Sequence, residues 1–129
     1  MSVYALIDRP IALLGLADRL LLDAMRAWVH ALTLAGDPGL ARVEAPGSDR
    51  QAAFDAAMRA LDRGSVDTLT FQRPCHATVE EDEAVVLGLW HLAQRDRIGD
   101  ARAAAERLVD PASARTLIRA MVEFGALAD

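Results

Sequence analysis

No lysine and no asparagine occur in the 129 residues, and all 14 basic side chains are arginines. Both missing residues use A-rich codons, which points to a GC-rich bacterial genome. The absence also removes chemistry: without lysine there is no Schiff base, no phosphate-loop lysine and no serine–lysine dyad. The single cysteine, Cys75, excludes an internal disulfide framework and any zinc site built from four cysteines or from two cysteines and two histidines. No Gly-x-Ser-x-Gly, Gly-x-Gly-x-x-Gly, His-Glu-x-x-His or EF-hand pattern is present. The net charge of −5 lacks the positive excess that neutralises phosphates, so no nucleic-acid partner is expected. No run approaches the roughly 20 uncharged apolar residues that span a bilayer. The most apolar segment, 11–34, is interrupted by Asp18, Arg19, Asp23, Arg26 and His30. Asp8 and Arg9 stand where a secretory signal would continue its apolar core. These features describe a soluble, cytoplasmic chain with no membrane partner.

Apolar residues make up 53% of the chain, which argues against disorder, and the length fits one domain over residues 1–129. The patterning is helical throughout. Asp8 and Pro10 can open a first helix that runs to about Ala35, with Gly15 as a weak point. Leu14, Ala17, Leu21, Ala24, Met25, Trp28 and Leu32 form its apolar stripe, and Arg19, Asp23, Arg26 and His30 its polar stripe. Both flanks are apolar as well, with Leu16, Leu20 and Ala27 on one side and Leu22 and Val29 on the other. A stripe this wide means that the helix sits centrally in a bundle or that a flank meets another subunit.

Gly36-Asp37-Pro38-Gly39 ends the first helix, and a loop follows to residue 47. Ser48 and Gln51 form a capping box for a second helix over about 49–63, with Phe54, Ala57, Met58 and Leu61 inward and Gly64 as a left-handed stop. Residues 65–77 read as an ordered loop pinned by Phe71. Thr78 and Glu81 suggest a second capping box, followed by a third helix over about 79–95. Its acidic first turn, Glu80 to Glu83, suits the helix dipole. Gly99 and Asp100 mark the start of a short fourth helix, with Ala101, Ala104, Ala105 and Leu108 inward. Asp110-Pro111 opens the last helix, about 111–127, with Ala114, Leu117, Ile118, Met121 and Phe124 inward. The expected fold is an all-α, up-and-down bundle of four main helices plus one short helix.

Three places could carry function. Cys75 and His76 precede a helix start, where amide groups can lower a thiol pKa, and with Glu80 or Glu81 they could form a metal- or thiol-dependent site. The acidic run beside them opposes a thiolate, and a small buried cysteine beside a loop histidine accounts for the same residues. His30 and His91 each follow a tryptophan closely and fall near helix carboxyl ends, so a small ligand or heme could lie near them. Two solvated histidines beside core tryptophans are the plainer account, and no cofactor is expected. The third place is the wide apolar belt of the first helix, with Leu16, Leu20, Leu22 and Val29 as an interaction face. With no catalytic constellation, the chain reads as a non-enzymatic module for a protein partner or for self-association.

Pro74-Cys75, a threonine cap, Asp82-Glu83-Ala84 opening an apolar helix, and Gly99-Asp100 before an alanine-rich helix resemble a family of small uncharacterised helical bacterial proteins. In that family several cysteines follow the proline, whereas here the run is Cys75-His76-Ala77. The resemblance implies a helical fold and carries no function with it.

Overall fold

The computed structural model describes residues 15–35, 48–65, 69–72 and 76–127. It is all-α. The described residues form α1 (Leu16–Ala35), α2 (Asp49–Gly64), α3 (Glu81–Gln94), α4 (Ile98–Ala105) and α5 (Pro111–Ala126). An isolated antiparallel bridge joins Ser65 and Val109. Asp8, Pro10, Leu14, the 36–47 loop, Val66, Pro74 and Cys75 lie outside the described residues.

The chain forms two compact units. The first is Met1–Val43 with Thr70–Gly88, and the second is Glu44–Leu69 with Leu89–Asp129. Among the described residues of the first unit, the buried apolar ones are Leu21, Leu22, Ala24, Met25 and Trp28 on α1, and Val79, Ala84, Val86 and Leu87 in the later stretch. Arg26 is buried with them, not exposed on a polar stripe. Ala17 is exposed and Leu32 half-buried, so the buried arc of α1 is centred on Met25.

The start of α3 corrects the expected capping box. The helix begins two residues later than Thr78 would set it, and Glu80 takes the cap position. Its carbonyl accepts the first helical bond from Ala84 at 2.9 Å. Glu83, three residues on, turns its Oε1 back to the Glu80 amide at 2.8 Å.

In the second unit α2 starts as the sequence suggests. The Ser48 hydroxyl accepts from the Gln51 amide at 3.0 Å, and Phe54, Ala57, Met58 and Leu61 are buried. Gly64 is the last residue of α2 rather than a left-handed stop beyond it. A Cβ there would fall on the Ser113 side chain and 3.1 Å from Val109 Cβ, so glycine answers to close packing. The Asp110 amide donates to the Gly64 carbonyl at 3.0 Å, which ties the end of α2 to the start of α5. At the other end Phe54 of α2 lies 6.4 Å from Phe124 of α5, centroid to centroid. The two helices therefore run antiparallel.

α5 keeps its expected cap. Asp110 accepts from the Ser113 amide at 2.9 Å and hydroxyl at 3.0 Å, and Pro111 follows at the first helical position. All five residues expected to face inward are buried. α4 departs from expectation. It starts at Ile98 after Arg97, so Gly99 and Asp100 lie inside its first turn, and Asp100 pairs with Arg97 instead of capping. The left-handed stop of α3 is Asp96, at φ 58. Around it the Arg97 amide reaches back to the Leu92 carbonyl at 3.0 Å and the Asp96 amide to Ala93 at 3.4 Å, a Schellman closure.

Candidate functional site

Among the described residues of the first unit, the most connected polar group is a buried ion pair between α1 and α3. Arg26 projects from α1 at the border between its apolar neighbours one turn away, Leu22 and Val29, and its polar ones, Asp23 and His30. Its Nε donates to Glu83 Oε2 at 2.6 Å and its Nη2 to Oε1 at 2.7 Å, a bidentate fork. Both side chains have no solvent exposure. The same guanidinium donates to two loop carbonyls, from Nη1 to His76 at 2.9 Å and from Nη2 to Thr78 at 2.8 Å. Glu83 also accepts from the Gln72 amide at 2.9 Å, besides the Glu80 amide. Two more side chains hold the loop. Gln72 Nε2 donates to Glu80 Oε2 at 2.7 Å, and the Thr70 amide to Asp82 Oδ2 at 2.6 Å.

Each charge in this cluster faces an opposite charge or a hydrogen-bond partner. That makes it a clamp, which fixes the entry to α3 against α1, and leaves the Arg26–Glu83 fork committed to each other rather than to a substrate. Glu83 was legible only as one acid in a run of four. The signal for its burial is spacing, since Val86, Leu87 and Trp90 follow it at three, four and seven residues and all are buried. A glutamate on that face calls for a buried cation.

Of the residues proposed for metal or thiol chemistry, His76, Glu80 and Glu81 are among the described ones. His76 is half-buried, with Nε2 3.3 Å from the Thr78 hydroxyl. Glu80 is half-buried and engaged with Gln72, while Glu81 is exposed. Cys75 is outside the described residues. No group of three or more histidine, cysteine, aspartate or glutamate side chains suited to a metal ion occurs among the described residues. His30 is exposed in the first unit, and His91 is half-buried in the second.

In the second unit Trp90 is fully buried between two phenylalanines, stacked on Phe54 at 6.2 Å and edge-on to Phe124 at 5.1 Å. The Arg50 guanidinium covers Phe124 at 4.1 Å from the ring centroid. The Trp90 indole N–H has no hydrogen-bond partner among the described residues.

The expected interaction face divides in two. Leu22 is fully enclosed and Val29 half-buried, whereas Leu16 and Leu20 are 74% and 57% exposed. Leu34, on the same side of α1, is 73% exposed. Ala27 and Ala31 lie between them at helical spacing and are half-buried. Arg19, Asp23 and His30 line one edge of this strip and are exposed. No described helix is long and apolar enough to cross a membrane.

Compared with protein-family models, with curated proteins and with solved structures, the chain matches none.

Proposed function

We propose that the chain is a non-enzymatic helical module that binds a protein partner through the exposed flank of α1. The observation that carries this reading is the exposure of Leu16, Leu20 and Leu34 on one side of a single helix. Isolated exposed leucines are ordinary on protein surfaces, but aligned ones with alanines between them present a continuous apolar strip. The sequence supports the same reading from another side, since no catalytic constellation is recognisable in it. The clamp at Arg26 and Glu83 gives the strip a rigid support by fastening α1 to the segment that leads into α3.

Native mass spectrometry of the purified chain, together with cross-linking in lysate of the source cell, tests this. A complex is expected, either of two copies or with another protein, and Leu20→Glu should abolish it while leaving the circular dichroism unchanged. A strict monomer that captures nothing, or a complex indifferent to Leu20→Glu, would refute the assignment.

A further inference from the structure

Resting on that reading, we infer that the partner of α1 is the α1 helix of a second copy, packed antiparallel about a two-fold axis at the level of Met25. The strip is self-complementary in that direction. Leu16 and Leu34 are equally distant from Met25, so each meets the other across the axis. Leu20 then faces the hole framed by Ala27, His30, Ala31 and Leu34 of the second copy, which is a knob-in-hole set at spacings of three, four and seven residues. Two alanines make that hole shallow enough for a leucine, and the arrangement occurs twice by symmetry.

The polar edge agrees with the same direction. In an antiparallel pair like edges meet, so Asp23 of one copy comes beside His30 of the other, and its carboxylate can accept from an imidazole N–H in either charge state. Arg19 comes beside the carboxyl-terminal turn of the second α1. That turn holds no basic residue of its own, and its carbonyls favour a cation. A parallel pair would instead bring this polar edge against the opposite edge of the second copy, at Leu20 and Ala31, and leave Arg19 and His30 without these partners.

One helix pair lies at the small end of stable interfaces, below roughly 1,200 Å². A reversible dimer that dissociates on dilution is therefore expected. Sedimentation velocity from about 1 µM to about 1 mM reads this directly. Leu20→Glu should leave a monomer across the range. Asp23→Arg and His30→Asp should each weaken the dimer roughly tenfold, and the two together should restore it. Asp23 and His30 lie seven residues apart on their own helix, too far to pair there, so restoration reports a contact between copies.

A dimer that the double variant fails to restore would overturn the antiparallel register. A purified chain that stays monomeric throughout would overturn self-association. In that event, a lysate complex lost on Leu20→Glu would leave the interaction reading standing, and its absence would remove both.

Discussion

Taking a guanidinium and a carboxylate out of water costs several kcal/mol per ion, and only good geometry offsets it. Arg26 and Glu83 meet that condition through the bidentate fork and the four further bonds to the His76 and Thr78 carbonyls and the Gln72 and Glu80 amides. Arg26→Met should therefore destabilise the chain by about 3–5 kcal/mol in urea denaturation, because it strands a buried carboxylate. Adding Glu83→Leu should recover much of that loss, and a double-mutant cycle would report the coupling. Recovery should stop short of full, since the two loop carbonyls lose their donor. Gly64→Ala belongs to the same scale. Its methyl would overlap Ser113, and the expected loss is about 1–3 kcal/mol by overpacking.

Helix boundaries test local chemistry. Asp96 holds a left-handed conformation that glycine adopts without steric cost, so Asp96→Gly should raise stability by about 0.5–1 kcal/mol. Asp110 gives a pH signature. The Ser113 backbone N–H, followed by its hydroxyl, holds the Asp110 carboxyl below the ordinary aspartate range. Its folded-state pKa is depressed, so its contribution is complete above the ordinary aspartate value and is lost as pH falls through the folded value. Asp110→Asn, which keeps a capping oxygen, should flatten that acid limb when unfolding midpoints are compared across pH.

The caps at Ser48 and Asp110 were readable because their bonds join residues three apart. The inward faces of α2 and α5 were readable because helical spacing repeats along them. Arg26 was not, because its partner lies 57 residues away and local periodicity places any arginine on the wet side. Gly64 was misread for a related reason. Glycine after a helix signals a turn, and the helix that presses on it is far along the chain. Of the expected interaction face, the sequence marked both flanks of α1 alike. Only tertiary packing distinguishes enclosed Leu22 from exposed Leu20.

At the scale of the molecule, each compact unit holds one tryptophan. Trp28 is buried in the first and Trp90 in the second. α3 contributes its first turns to one unit and its last turns to the other without a break. Melting either unit would fray a helix that the other needs, so both are expected to unfold in one transition. Labelling with 5-fluorotryptophan would give one fluorine resonance per unit, and their denaturation midpoints should coincide. Separated midpoints would mean that the units are independently stable.

The clamp also has a history within each molecule's synthesis. Arg26 and Glu83 are 57 residues apart, and at 5–20 residues per second the ribosome takes about 3–11 s to deliver the second after the first. Isolated helices form within about a microsecond, so α1 has ample time to coil before its counterion exists. Throughout that wait the guanidinium belongs to water, and every acceptor it will eventually hold is still to be translated. The nascent α1 is thus kept hydrated at a point of its inner face that is later fully buried.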